Sequence, residues 1–496
     1  MKIIERLYDG SMTMLTDLFQ LTMAYGYWKS GKANQQAVFN LFFRKNPFNG
    51  GFTVACGLEY VVDFLNSFKF SSDDLTYLQA VKDSRGNPIF ENEFLDYLGH
   101  MDFTCDVDAM PEGTIVFPHE PMIRVKGPVI QGQLIETPLL NMINFQSLIA
   151  TKAARVNLAA KGDRVIEFGL RRAQGIDGAL SASRAAYIGG CSSTSNVLAG
   201  KLFGIPVSGT QAHSWVMSFD SEPEAFEAYA RAMPDNCIFL VDTYDTLKGV
   251  ENAVAVGKSL RANGKKLIGV RIDSGDLAYF SVKAREILDM AGFQDTVIVA
   301  SNDLDEHIIN SLKSEQHAAI DVWGVGTKLV TAFDQPALGA VYKMSAIRDG
   351  SGKWDYKIKL SEQALKMNNP GIQQVRRYYD QDKALADMIF DSQHQPEGKI
   401  SIVDPMDATR RKKLAASTLL YKDLLEPVFE QGKLVYKLPN IEEIKASVAK
   451  ELGSFHGGVK RFVNPHSYPV GLEASLYELK TSLILKLRNM ENDQRQ

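Results

Sequence analysis

Between residues 165 and 326 the chain repeats one pattern: a short, nearly continuous apolar run, a polar end, then in most cases a helical stretch. The runs cover 165–168, 205–208, 237–242, 267–273, 296–301 and 320–324. Runs of this kind suit parallel strands buried on both faces. Helical spacing separates most of them, at 225–232, 247–262, 277–290 and 306–312. The third of these sets Leu277, Phe280, Ala284, Ile287 and Leu288 on one stripe, with Ser274 or Asp276 able to cap it. From Phe168 to Thr210, Thr243, Asp273, Ser301 and Gly326 the steps are 42, 33, 30, 28 and 25 residues. Such steps fit consecutive strand–helix units and favour a parallel α/β barrel, with a doubly wound open sheet as the alternative.

Residues 1–135 read as a mixed α+β domain. A helix is expected over 16–28, a strand over 37–43, and helices near 57–69, 71–82 and 91–99. From 106 to 136 the apolar runs shorten, broken by Pro111, Gly113, Pro118, Pro121, Gly127, Pro128 and Gly132. That is the punctuation of small antiparallel strands. Pro138 stands in the first turn of a long helix reaching about residue 160. The barrel core is placed at 136–350. A C-terminal extension, 351–496, carries strands near 356–359 and 400–403 and helices over 441–452 and 474–487, expected to pack partly on the N-terminal domain.

A chain of 496 residues exceeds one ordinary core. Its 45% hydrophobic and 23% charged content excludes a mainly disordered protein. The net charge of −4 gives no support to a nucleic-acid binder. Cys56, Cys105, Cys191 and Cys237 lie far apart with no Cys-x-x-Cys, which points to a reducing cytoplasm. The first nine residues lack a signal-peptide core, and no apolar run reaches membrane length. A cytoplasmic protein without a membrane partner is expected.

A parallel barrel builds its site at the carboxyl ends of its strands. Those ends read Glu167-Phe-Gly-Leu-Arg-Arg172, Gly209-Thr-Gln-Ala-His213, Asp242-Thr-Tyr-Asp245, Arg271-Ile-Asp-Ser-Gly-Asp276, Ser301-Asn-Asp303 and Gly324-Val-Gly-Thr-Lys328. His213, at the mouth of a turn, can serve as base, ligand or phosphoryl acceptor, because its free pKa is near neutrality. The turn at 273–276 can hold an anion on its backbone N–H groups, or its aspartates can meet a metal; alternatively Ser274 and Asp276 only cap the following helix. Gly324-Val-Gly-Thr327 allows close approach of a phosphate, or is simply a turn. Arg171 and Arg172 can grip a phosphate or carboxylate, or form surface ion pairs. Phe168 is a stacking platform or part of the core.

Together with Thr16-Asp-Leu-Phe-Gln-Leu-Thr-Met23, Ser193-Thr-Ser-Asn196, Gly209-Thr-Gln-Ala-His-Ser214 and Ser467-Tyr-Pro-Val-Gly-Leu-Glu-Ala-Ser-Leu476, these strand ends resemble the nicotinate phosphoribosyltransferases. The likeness runs in order from about residue 11 to 345 and resumes near the C-terminus. It implies an irregular parallel α/β barrel with an N-terminal mixed α+β domain and a C-terminal extension. It also implies a homodimer sharing active sites. The implied reaction joins nicotinate to 5-phosphoribosyl 1-diphosphate, the first step of NAD salvage from nicotinate, with ATP as co-substrate and Mg2+ as cofactor. His213 matches the phosphohistidine, and Asp273 joins it as a catalytic residue. Asp273 and Asp276 are the metal candidates. The substrate-binding set is Phe19, Phe168, Arg171, Ser195, Thr210, Arg271, Ser274, Gly275, Asn302, Gly324, Gly326 and Thr327. The family commonly has tyrosine where this chain has Phe19, so stacking would survive there while a hydroxyl contact would not.

Other readings remain at this point. A nicotinamide or quinolinate phosphoribosyltransferase is one, although quinolinate, with its second carboxylate, calls for more basic strand ends. A non-catalytic pyridine-nucleotide binding protein is another, against which the retention of His213, Asp273 and Asp276 speaks. A barrel aldolase lacks its Schiff-base lysine at these ends, save Lys328.

Overall fold

The computed structural model describes residues 12–363, 366–396, 400–414 and 419–493. Residues 1–9, read above for a leader, lie outside them. The barrel strands are Arg164–Glu167, Ser193–Thr194, Cys237–Leu240, Leu267–Ile272, Val297–Ser301 and Val322–Val325. All neighbours in this sheet run parallel. The last strand returns to the first, with Val322 opposite Arg164 and Val325 opposite Glu167. Strand order therefore follows chain order around a curved sheet, and the circle is left open at one seam, between Val207 and Cys237. The result is a curled half-barrel, an irregular member of the class expected from the repeat.

The run at 205–208, expected as a full strand, is reduced to one bridge between Val207 and Thr194. Thr194 N donates to Pro206 O (3.0 Å) and Ser208 N to Thr194 O (2.9 Å). Pro206 has no N–H to extend that ladder. Beside the seam, Phe226 stacks on Phe239 with centroids 4.6 Å apart, and Trp215 meets Tyr229 edge-on.

Capping aspartates start the helices that follow these strands. Asp245, Asp276 and Asp305 accept backbone N–H bonds at the heads of Thr246–Ala262, Leu277–Met290 and Glu306–Ser314. On the second helix Leu277, Ala284 and Leu288 are buried along the expected stripe, while Phe280 and Ile287 are partly buried. Two helices with no expectation attached, Ile176–Ile188 and Val197–Phe203, complete the turns after the first two strands.

Three N-terminal strands form the middle of a seven-stranded sheet, Gln36–Phe42 among them. That strand lies between Ile123–Pro128 and Val341–Arg348, and Glu426–Glu430 joins further along beside Asp106–Ala109. The chain thus returns twice to its first domain after the barrel is built. A third sheet gathers Gln373–Asp380, Lys383–Asp391, Ile400–Val403, Arg411–Leu414, Leu420–Asp423 and Val470–Glu473. The strand expected near 356–359 is found at Trp354–Tyr356.

Buried charges tie these units together. Arg377, with no exposed surface, donates to Asp387 (2.9 and 2.6 Å) and to Ile115 O (2.6 Å), linking the third sheet to the first domain. From the long helix Glu136–Ala160, Lys152 and Arg155 meet buried Glu306 at 2.7 and 2.8 Å. Removing one member of such a group strands an uncompensated charge. Among the described residues, no helix is long and apolar enough to cross a membrane.

Candidate active site

At the carboxyl ends of the half-barrel strands lies a cleft of about 430 Å3, lined by residues from all six strand ends and from the loop 209–213. Strand periodicity explains its central pair. Arg271 and Asp273 are two residues apart at the end of Leu267–Ile272, so both side chains face the same side. The Arg271 guanidinium is held at three points: Nη2 donates to Asp273 Oδ1 (2.8 Å), Nη1 to Thr210 Oγ1 (2.9 Å) and Nε to Ser301 Oγ (2.9 Å). Its centre lies 5.7 Å from the Phe168 ring, within range of a cation–π contact.

Burial works against ionisation of Asp273. The Ser301 hydroxyl, the Arg271 guanidinium and nearby His213 overcome it and hold the carboxyl below the ordinary carboxylate range. Asp273 is thus an anion at neutral pH, with Oδ2 turned to His213 Nε2 at 3.8 Å. The other ring nitrogen, Nδ1, lies 3.2 Å from Thr243 Oγ1.

Phe168 leaves its strand with its N–H on Val325 O (2.8 Å), and its ring lies against Gly324. A Cβ on Gly324 would come within 2.6 Å of that ring. The glycine at 324 therefore makes room for the aromatic platform. Gly326 is more open, its nearest neighbour to such a carbon being Phe168 O at 3.3 Å. In the adjoining loop Asn302 (φ 116°) and Asp303 (φ 39°) occupy backbone space that side-chain-bearing residues seldom adopt. Consecutive outliers of this kind cluster at ligand sites. Arg171 and Arg172 follow in the short turn Leu170–Arg172, exposed and in no ion pair among the described residues.

The cleft brings together Phe168, Arg171, Ser195, Thr210, His213, Arg271, Asp273, Asn302, Gly324, Gly326 and Thr327. Ser274, Gly275 and Asp276 are not in its lining. Ser274 Oγ donates to Asp242 Oδ2 (2.6 Å), Gly275 takes φ 77°, and Asp276 Oδ1 accepts from Tyr279 N (3.0 Å) as a helix cap. Phe19 is half exposed on the helix Leu18–Lys29, outside the cleft. His307, the other histidine near a strand end, stands against Phe462 and Glu306 and does not line it.

Four residues matter here that the sequence reading did not single out. Asp242 accepts from Asp273 N (2.8 Å) and Ser274 Oγ, and its buried Oδ1 has no partner among the described residues. Thr243 and Ser301 position His213 and Arg271. Gln211 is buried in the lining with neither amide atom hydrogen-bonded among the described residues. All four sit in the strand-end motifs, Gln211 between Thr210 and His213. Among the described residues, no group of three or more His, Cys, Asp or Glu side chains is arranged to hold a metal ion.

Three family descriptions match successive parts of the chain. The nicotinate phosphoribosyltransferase N-terminal domain matches residues 14–144, the nicotinate phosphoribosyltransferase family 164–354, and the C-terminal domain 372–480. A nicotinate phosphoribosyltransferase of Bacillus subtilis is 44% identical over 486 residues, covering 97% of each chain. One from Caenorhabditis elegans is 38% identical over 95% of this chain and 93% of its own. The crystal structure of human nicotinic acid phosphoribosyltransferase superposes with a TM-score of 0.82 at 33% identity, over 94% of this chain and 99% of that one.

Proposed function

Because this chain belongs to the nicotinate phosphoribosyltransferase family and is an enzyme of it, we propose that its cleft joins nicotinate to 5-phosphoribosyl 1-diphosphate, releasing pyrophosphate, with ATP consumed through His213. The observation that carries this reading is the clustering of Arg271 and Asp273 beside the Phe168 ring, with His213 opposite.

Displacing pyrophosphate at an anomeric carbon develops positive charge on the ribose and negative charge on the leaving group. The attacking pyridine nitrogen needs no activation by a base, so orientation and electrostatics carry the rate. In this reading the pyridine ring lies on Phe168, with its carboxylate toward Arg271. Arg171, with Gly326 and Thr327, faces phosphate; among the described residues the exposed guanidinium of Arg171 has no competing ion pair. Asp273, kept ionised, supports positive charge at the ribose and faces His213.

Mg2+ usually keeps several waters and is shared between one or two carboxylates and substrate phosphates. Asp273, which lines the cleft with Oδ2 toward His213, fits that modest demand, with Asp242 hydrogen-bonded to its backbone behind it. Asp276, engaged as a cap, fits it less well. When bound, the ion would neutralise charge on the departing diphosphate.

Two regions of exposed apolar surface support assembly with a second copy. One is Leu18, Phe19 and Met23 on the N-terminal helix, and the other is Leu170, Val197, Leu198 and Leu202 near the cleft. Isolated exposed apolar residues are ordinary, but grouped ones mark interfaces. A homodimer that brings Phe19 of one copy toward the cleft of the other accounts for both. The buried, unpaired cysteines suit a cytoplasmic setting.

The test is product analysis with nicotinate, nicotinamide and quinolinate side by side, each with 5-phosphoribosyl 1-diphosphate, with and without ATP. Nicotinate mononucleotide as the dominant product, formed faster with ATP, is expected. Preference for either other pyridine would overturn the reading.

A further inference from the structure

Glu167 ends the first barrel strand with no exposed surface, and no step above uses it. Four groups converge on it. Its Oε1 accepts from Gly169 N, while Oε2 accepts from Thr194 Oγ1 (2.5 Å) and Ser183 Oγ (2.9 Å). Its own carbonyl takes Ser195 N at 2.9 Å. Beyond them, Asn196 N donates to Thr194 Oγ1 (3.0 Å) and Asn196 Nδ2 to Ser183 Oγ (3.2 Å). One carboxylate thereby ties together the turn after the first strand, the second strand, and the helix Ile176–Ile188.

Burying a carboxylate is costly unless donors surround it, and here they do. Phe168 lies between its two anchors. On one side its N–H is fixed to Val325 O, and on the other the Gly169 N–H is fixed to Glu167. The turn also packs tightly, since a Cβ at Gly169 would meet Val330 Cγ1 at 2.3 Å. Ser195, a second lining residue, is held by the same residue: by the carboxylate through neighbouring Thr194, and by the backbone carbonyl directly.

We propose that Glu167 is a positioning residue of the active site: its buried carboxylate sets the Gly169 turn so that the Phe168 ring stands over Gly324 beside Arg271. Glu167 itself touches no substrate. This proposal rests on the reading of Phe168 as the platform for the pyridine ring.

The test compares Glu167→Ala, Thr194→Val, Phe168→Ala and the double variant Glu167→Ala/Phe168→Ala, with both substrate KM values measured for each. Thr194→Val removes one donor at nearly constant shape, so it serves where Glu167→Ala fails to fold. Loosening the platform should raise KM for nicotinate roughly tenfold or more, with a much smaller change for 5-phosphoribosyl 1-diphosphate. The double variant should be no worse toward nicotinate than Phe168→Ala alone, because both changes disable the same ring. Equal weakening of both substrates, or additive effects in the double variant, would show that Glu167 acts only on the fold, and the proposal fails while the platform stands. If Phe168→Ala leaves KM for nicotinate unchanged, the platform reading falls and the positioning role with it.

Discussion

His213 Nδ1 lies 3.2 Å from Thr243 Oγ1, and this contact crosses the one seam where the parallel sheet is open. His213 follows Val207 on one lip of the seam, and Thr243 follows the strand Cys237–Leu240 on the other. Among the described residues, no strand pairing joins the lips at this point. The imidazole is therefore oriented by a side chain, with its second nitrogen turned toward Asp273.

Arg271→Ala removes a guanidinium that serves three oxygen partners and, in the proposed function, the substrate carboxylate. Loss of a desolvated charge-assisted pair should lower transition-state stabilisation with nicotinate by about 2–5 kcal/mol. Binding of 5-phosphoribosyl 1-diphosphate should suffer far less. Steady-state kinetics with each substrate varied will show it, and a wild-type kcat/KM for nicotinate would remove the assignment.

Asp273→Asn should fold, because an amide can still accept from Arg271 and Ser301. Turnover should fall, and its dependence on Mg2+ concentration should shift upward, since a neutral amide is a poorer partner for the ion. Unchanged magnesium dependence at equal thermal stability would reduce Asp273 to an anchor for Arg271. The depressed carboxyl also sets a pH expectation. Stability from ionised Asp273 is in full above the ordinary carboxylate pKa and is lost as pH falls through the lower folded value. The variant's stability should accordingly decline less than the wild type's at the acid end, as read by unfolding at stepped pH.

The regular part of the fold was legible because buried parallel strands leave continuous apolar runs at steady spacing. The run at 205–208 looked like its neighbours, yet Pro206, a local sign against a full strand, and the open seam, which no local pattern reveals, limit it to one bridge. The strand Gln373–Asp380 carries Arg376, paired with Asp423, and Arg377, which reaches Glu451 and Ile115 O, partners that lie far along the chain. Polar residues satisfied at long range hide a strand from any local reading. The site followed the same division. Arg271, Asp273, His213 and Phe168 stood out at strand ends, whereas Asp276 looked equally chemical and serves as a cap.

Gly324→Ala places a methyl group where the Phe168 ring now lies, 2.6 Å from its nearest carbon. The ring must move or the strand must shift, and overpacking of this sort costs about 1–3 kcal/mol. Thermal unfolding should show a lowered midpoint, and KM for nicotinate should rise more than KM for the phosphoribosyl donor. A stable variant with unchanged kinetics would mean that the ring has another place to go.

His119 has an expected stability effect away from the cleft. Burial, with Lys480 and Arg44 nearby and only Asp404 opposing them, pushes its pKa down to about 4. Between pH 6.5 and 4 the unfolded chain then binds a proton that the folded chain refuses, so stability falls with acidification. The loss should reach at most about 3.4 kcal/mol, at about 1.36 kcal/mol for each pH unit between 6.5 and 4. His119 also holds φ 71°, which asparagine tolerates well. His119→Asn should flatten the acid limb of a stability–pH profile between 6.5 and 4. An unchanged slope would show that His119 is not the group responsible.

The last expectation concerns His213 itself. In the proposed function its ring accepts the γ-phosphoryl group of ATP, which requires a nitrogen facing open cleft, and Nε2 meets that condition beside Asp273. Incubation with γ-labelled ATP should leave a phosphate that is labile in acid and stable in base, as a phosphoramidate on imidazole is. His213→Ala and His213→Asn should both abolish the label and the ATP hydrolysis that accompanies it. Synthesis of the mononucleotide should continue at a reduced rate, because ATP shifts the equilibrium and tightens binding without entering the new carbon–nitrogen bond. Thr243→Val should give an intermediate result. It frees the imidazole from the far lip of the seam, so labelling should slow while the final extent is retained. Full ATP coupling after replacement of His213 would overturn the assignment. Lost synthesis with intact labelling would move the phosphoacceptor elsewhere, and His307, exposed beside Phe462, would be the next histidine to replace.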